Sequence, residues 1–529
     1  MPDLFSNLQQ IRKPALISKG GIVVSQSRRA AEIGVGMLAA GGDCVDAVVA
    51  TGFALSVLEP WMSGLGGGGA MVLYRAKEDR YEVIDYGMRA PKSLRVEDFP
   101  LIGEGATSDI FPWPRVKDDR NLHGPSSVAV PGVVAGMEQA FQRYARLPWH
   151  DLLAPAIELA RQGLEVDWWT TLAIGSSAAD LRRYPSSAAA YLKDGLPPQP
   201  QWGIRSKVTL PQQTLKAALS HLARNGARDF YQGDLARSIA SDVTASGGSL
   251  SVEDLATFRA HLREPLKIPF CGGSVYATPE LTAGPTLAHA LRLLSDRPAT
   301  PGQPDTTAYT AYVLALQSAY RDRLKDMGDT DGKRARGAEH LAPSCTTHFS
   351  VVDRDGNMAA VTQTLLSAFG SKFVAPQSGI TLNNGIMWFD PTPGGPNSLA
   401  PGKRCLTNYT PVVAHASDGR RLALGASGGR RILPAVMQIL SFVMEFGMNM
   451  DAAIHQPRID ASEGDIVIGD VRLPREVHDG LRRRFDYEEA RIQTWPGKFA
   501  FPGVVLREGD TNFGATEVFQ PWGDAVAES

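Results

Sequence analysis

Ser344-Cys-Thr-Thr-His-Phe-Ser-Val-Val-Asp-Arg-Asp-Gly-Asn-Met-Ala-Ala-Val-Thr-Gln-Thr364 holds two β-type runs around a turn, about two thirds of the way along a chain of 529 residues. His348 to Val352 and Met358 to Thr362 are rich in β-branched and apolar residues, and Asp353-Arg-Asp-Gly-Asn357 carries the signal of a tight reversal. A turn centred on Asp355 sets Thr346 opposite Thr364, so two hydroxyls meet at the open end of a hairpin. An ordinary hairpin would use the same residues, because Thr is a good strand former.

Bulk properties bound the answer. At 43% hydrophobic and 21% charged, with a net charge of -2, the composition is that of a globular protein with no bias toward nucleic acid or anionic membranes. Arg482-Arg483-Arg484 is too short a basic run for a binding patch and reads as a solvated helix face. Cys44, Cys271, Cys345 and Cys405 lie far apart with no CxxC spacing, which suggests neither a zinc site nor a redox pair. The first residues, Met1 to Pro14, lack an apolar secretion core, and no run of eighteen apolar residues occurs, so a cytoplasmic location is expected.

Several further stretches stand out. A helix from Ser27 stops at Gly41-Gly42, and an apolar helix follows Asp43. Trp61-Met-Ser-Gly-Leu-Gly-Gly-Gly-Gly-Ala70 lacks both the Lys-Ser/Thr of a P-loop and the spacing of a dinucleotide fingerprint. Tyr312 to Met327 reads as an amphipathic helix ending at Gly328, and the polar stretch Asp329 to His340 after it as a mobile segment. Leu424-Gly-Ala-Ser-Gly-Gly-Arg-Arg-Ile432 reads as a strand, a glycine turn and a helix start, a geometry that leaves backbone N–H groups free.

Thr-Thr-His-Phe-Ser-Val-Val-Asp-x-Asp-Gly-Asn followed by Thr-Gln-Thr resembles the start of the small subunit of the γ-glutamyltranspeptidase family, and further motifs resemble that family from about residue 20 to past residue 430. The resemblance implies an α+β fold: the four-layer αββα sandwich of N-terminal nucleophile hydrolases, made of two interwoven subunits from one proenzyme. It implies a large subunit 1–345, a small subunit 346–529, self-cleavage between Cys345 and Thr346, and Thr346 as catalytic nucleophile. Thr364 would orient the Thr346 hydroxyl, and Gly428 and Gly429 would form the oxyanion hole. No metal or cofactor enters this scheme, and the partners are a small-molecule amide substrate and the two subunits, with dimerisation left open.

The chain departs from the family where the substrate is gripped. In Ile84-Asp-Tyr-Gly-Met-Arg-Ala-Pro91 the family's carboxylate-binding Arg falls on Gly87, leaving Arg89 as a candidate two residues on, where i and i+2 of a strand share a face. Leu366, Gly385 and Trp388 stand where the family places polar groups around the substrate's ammonium. In Arg404-Cys-Leu-Thr-Asn-Tyr-Thr-Pro411, Thr407 and Asn408 replace two serines and keep hydrogen-bonding capacity. An ammonium without a counter-charge is costly to bury, which favours a non-γ-glutamyl amide, an oxamate-like carboxy-amide among the options, with Asn408, Thr407, Arg89 and Arg430 as candidate substrate-binding residues. The alternatives are a glutathione-using hydrolase or transpeptidase, and an inactive relative that only binds ligand.

Overall fold

The structure is a computed structural model, and it describes residues 12–106, 113–201, 203, 207–295, 303–328, 345–462, 464–494 and 497–529. Asp329 to His340, expected to be mobile, lie outside the described residues.

Two seven-stranded sheets make the centre. One runs in the order Leu16–Ser18, Thr511–Thr516, Phe501–Glu508, Arg421–Ser427, Val412–His415, Gly273–Ala277, Leu266–Phe270. The other runs Asp524–Ala527, Ile22–Ser25, Cys345–Val352, Met358–Leu366, Gly68–Arg75, Arg80–Tyr86, His261–Arg263. Each sheet mixes strands from before and after residue 345, so the two parts of the chain are interwoven.

Side-chain alternation sorts the strands into layers, because successive residues of a strand point to opposite faces. Phe349 and Val351 face outward into a core shared with the helices Cys44–Leu58, Val133–Tyr144 and Trp149–Gln162. Val352, Met358 and Ala360 face inward onto Val413, Ala423 and Val505 of the opposite sheet. Val412, Leu424 and Val504 face the other way, onto the helices Gly284–Ser295, Thr306–Asp326 and Ile432–Met444. The result is the αββα sandwich.

Local chemistry explains the elements nearest the site. All fifteen residues of the helix Cys44–Leu58 are buried, and its start is fixed by a capping box in which Asp43 accepts from Val45 N–H while Asp46 accepts from Asp43 N–H. The helix expected from Tyr312 begins earlier, at Thr306, because Asp305 caps it through Ala308 N–H at 2.9 Å. Arg482, Arg483 and Arg484 are exposed at a helix end, as a solvated face requires.

Candidate functional site

The hairpin closes at Asp353, whose carboxylate accepts from Asn357 N–H at 2.9 Å, from Asn357 Nδ2 at 2.8 Å and from Cys44 N–H at 3.1 Å. Gly356 takes φ 86°, a value that suits glycine. Pairing then runs from Val352↔Met358 to Thr347↔Gln363, after which the register shifts and Cys345 pairs with Leu366. Thr346 sits in that irregularity, 5% exposed. Its Oγ1 donates to Thr364 Oγ1 at 3.2 Å, Thr364 Oγ1 donates to the Cys345 carbonyl at 2.5 Å, and Leu366 N–H donates to Thr364 Oγ1 at 2.8 Å. One hydroxyl therefore links the Thr346 side chain to the carbonyl of the peptide bond before it.

The glycine loop backs this hairpin. A Cβ on Gly67 would lie 2.4 Å from the Thr364 carbonyl oxygen, and one on Gly69 would lie 2.4 Å from that of Thr362. These glycines let two backbones touch, which accounts for the run without phosphate binding.

Behind the nucleophile segment lies a buried polar cluster that sequence reasoning missed. Thr347 Oγ1 is 3.2 Å from Gln26 Oε1 and 3.0 Å from Glu59 Oε2, and Gln26 Nε2 donates to Ser427 Oγ in a short bond. Gln26 thus ties the residue after Thr346 to the residue before Gly428. Burial pushes the Glu59 carboxyl up to about 7, with the Thr347 hydrogen bond opposing. The available signal was an acidic residue closing an otherwise apolar run, Leu58-Glu59-Pro60. His348 is no base: its ring nitrogens bond Thr362 and Ser350, each at 2.9 Å, and burial pushes it down to about 3.

Gly428 (φ 134°) and Gly429 (φ 60°) turn the chain from the strand Arg421–Ser427 toward the helix Ile432–Met444. Among the described residues no backbone acceptor takes the N–H of either glycine. The pair can offer two donors to one anionic oxygen.

Arg430 and Asn408 line one cavity, together with Arg323, Tyr320 and Trp113. Arg89 lines a different one, with Asp85, His261, Arg404 and Tyr409. The segment 404–411 is the wall between them, with Cys405 and Tyr409 on one side and Leu406 and Asn408 on the other. A Cβ on Gly87 would lie 2.8 Å from Tyr409 Oη, so the space at Gly87 is filled by a tyrosine. Thr407 is turned away from both cavities, because its N–H and its hydroxyl donate to Leu281 O at 2.8 and 3.0 Å. The structure therefore brings Asn408 and Arg430 together and separates Arg89 and Thr407 from them. Leu366 and Trp388 belong to an apolar cluster with Trp113, Met387 and Cys405.

A sequence model of the family described as Gamma-glutamyltranspeptidase matches residues 30–343 and 333–496. The chain belongs to this family. It is 32% identical over 502 residues to the acylase ACY 1 proenzyme of Pseudomonas sp. (strain V22), covering 89% of this chain and 88% of that one. It is 31% identical over 495 residues to the glutathione hydrolase proenzyme of Escherichia coli (strain K12), covering 83% and 81%. In fold it is similar to the cephalosporin acylase from Bacillus halodurans, with a TM-score of 0.83 over 100% of this chain and 99% of that one at 24% identity. The chain is thus an N-terminal nucleophile amidohydrolase of the γ-glutamyltranspeptidase family. Within that family its divergence is local: Gly87, Leu366, Gly385 and Trp388 put glycine or an apolar side chain where family members place polar groups.

Proposed function

We propose that this protein cuts itself between Cys345 and Thr346 and then uses Thr346 as the nucleophile of a small-amide hydrolase. The hydrogen-bond relay from Thr346 through Thr364 to the Cys345 carbonyl carries the reading. In the precursor, Thr346 Oγ1 attacks the Cys345 carbonyl carbon. Its proton passes to Thr364 while the Thr364 proton passes to the carbonyl oxygen, so charge does not build up in a buried site. Collapse breaks the C–N bond, returns a proton to the Thr346 nitrogen and leaves an ester, which water hydrolyses. The products are subunits 1–345 and 346–529, in keeping with relatives that are named as proenzymes.

Once free, the α-amine of Thr346, with a reference pKa of about 8, takes the hydroxyl proton as the amide is attacked. Gly428 and Gly429 would hold the developing oxyanion, a contribution of ~3 kcal/mol per donor in comparable sites. The amine or ammonia leaves, and water releases the acyl group. The apolar cluster around Leu366 and Trp388 favours an acyl group without an ammonium, an oxamate-like carboxy-amide among them, over γ-glutamyl compounds. Glutathione hydrolysis is the second reading, favoured by the relative of that name. A cytoplasmic location is part of the proposal; among the described residues no helix is long and apolar enough to cross a membrane.

Ammonia release from a library of primary amides by the mature protein, with the Thr346→Ala protein as control, tests the reading. Turnover confined to the cut wild type supports it. Turnover by Thr346→Ala, or preference for glutathione over every other amide, contradicts it.

A further inference from the structure

We infer that the cavity beside Arg430 is a carboxylate subsite, and that the substrate is a monoamide of a short dicarboxylic acid with no amino group on its acyl chain. This rests on Thr346 as nucleophile and specifies what its acyl pocket holds.

Two buried guanidinium groups carry the inference. Arg323 is 4% exposed and Arg430 8% exposed, and among the described residues neither has a carboxylate within ion-pair distance. Isolated buried cations are costly, and a site that keeps two of them side by side is arranged for an anion that arrives later. Arg323 is committed to its surroundings: one nitrogen donates to Thr282 O at 2.9 Å, and the other to Thr407 O at 2.6 Å and Asn408 Oδ1 at 3.1 Å. Burial pushes Arg323 down to about 10, with Tyr320 opposing and Arg430 adding to the fall, so it remains charged at neutral pH.

Arg323 also decides which way Asn408 faces. A guanidinium only donates, so the Asn408 atom that meets it is the carbonyl oxygen. That leaves Asn408 Nδ2 without a partner on a residue 4% exposed. Arg430 is braced from behind, with its guanidinium 5.3 Å from the centre of the Tyr320 ring, whose hydroxyl donates to Arg430 O. An unpaired charge and an unpaired amide N–H thus line one cavity, and they match the two oxygens of a carboxylate.

Size and position narrow the class. The cavity is about 20 Å³, room for one or two water-sized groups. No acidic side chain lines it, so an ammonium would have no counter-charge there. Arg430 directly follows Gly429, which puts the anion close to the carbonyl under attack.

The test uses 4-nitroanilides, whose leaving group is uncharged, so a charge can lie only in the acyl half. Mature wild-type protein should hydrolyse at least one of the oxalyl, succinyl and glutaryl probes ten- to a hundredfold faster, in kcat/KM, than the uncharged acyl probe of equal length. Arg430→Met should collapse that ratio, mostly through KM, and Arg430→Lys should restore part of it. An unchanged ratio in Arg430→Met, or no preference in the wild type, overturns the inference. Thermal denaturation provides a readout independent of catalysis: succinamate, glutarate or oxamate should raise the wild-type Tm and not that of Arg430→Met. A Tm shift of that kind without turnover by the cut protein keeps the subsite and removes Thr346 as nucleophile. Turnover with no Tm shift and no carboxylate preference keeps the nucleophile and removes the subsite.

Discussion

Thr364 and Thr346 meet side chain to side chain at 3.2 Å, and the same Thr364 hydroxyl reaches the Cys345 carbonyl. With Leu366 N–H as a further donor, the Thr364 oxygen accepts two hydrogen bonds and donates one. It has no spare capacity, so its orientation is fixed. The attacking hydroxyl and the carbonyl it must reach are both bound to one atom, which is a geometric requirement for an acyl shift across the Cys345–Thr346 bond.

Replacing Thr364 tests that relay. Thr364→Val keeps the shape and removes the hydroxyl, so self-cleavage should slow roughly ten- to a hundredfold, the equivalent of ~1.5–3 kcal/mol. Thr364→Ser should recover much of the rate. The appearance of the cut chain with time on denaturing gels measures both, and an unimpaired Thr364→Val would mean that the hydroxyl plays no part.

Glutathione should be a poor substrate. Its γ-glutamyl ammonium would face Leu366 and Trp388, which are 2% and 3% exposed within an apolar cluster. Steady-state kinetics should give kcat/KM below ~10⁴ M⁻¹s⁻¹, under the ordinary enzyme range. A value above that would show that the ammonium finds a partner elsewhere.

Glu59 should leave a signature in the pH dependence of stability. Burial lifts its carboxyl from 4.5 to about 7 in the folded protein, so its contribution is fully present below 4.5 and is lost as pH rises through 7. The span corresponds to roughly 3 kcal/mol. Glu59→Gln keeps a neutral group of the same shape, so the stability of the protein with its native glutamate, relative to the Glu59→Gln variant, should fall by about that much between pH 4.5 and 8. Buried His348, pushed down to about 3, acts with the opposite sign but is common to both proteins and cancels. Urea denaturation of uncut chains carrying Thr346→Ala gives the difference; a flat one would mean that Glu59 is ionised in the fold throughout.

Two glycines should respond oppositely to alanine. Gly67→Ala puts a methyl 2.4 Å from the Thr364 carbonyl oxygen and must displace backbone, a cost of ~3 kcal/mol and a slower self-cleavage. Gly36 is exposed in the helix Arg28–Ala39 with nothing within 4 Å of the added carbon, so Gly36→Ala should stabilise by ~0.5–1 kcal/mol. Thermal melts of the two variants decide; equal behaviour would contradict the close-approach account of the glycine run.

The hairpin was legible because a tight turn fixes register locally, and Asp353 to Asn357 need no distant partner to form it. The helix–strand order and the glycine turn at Gly428-Gly429 were readable for the same reason. The pocket was less so. Arg89 falls in a separate cavity from Arg430 because an extended wall, residues 404–411, presents alternate residues to opposite sides. Thr407 loses its hydroxyl to Leu281, a partner 126 positions away. Arg323 looked like one more charge on an amphipathic helix until the fold carried it to Asn408. Glu59, Gln26 and Thr347 form a group only after strands from both parts of the chain pair.

Intact mass spectrometry of the purified wild type and of Thr346→Ala tests the central claim most directly. The relay and an N-terminal Thr346 predict two wild-type masses, residues 1–345 and 346–529, and a single uncut mass for Thr346→Ala. A cut at another bond, or an uncut wild type that still hydrolyses amides, would contradict both the nucleophile and the mechanism built on it.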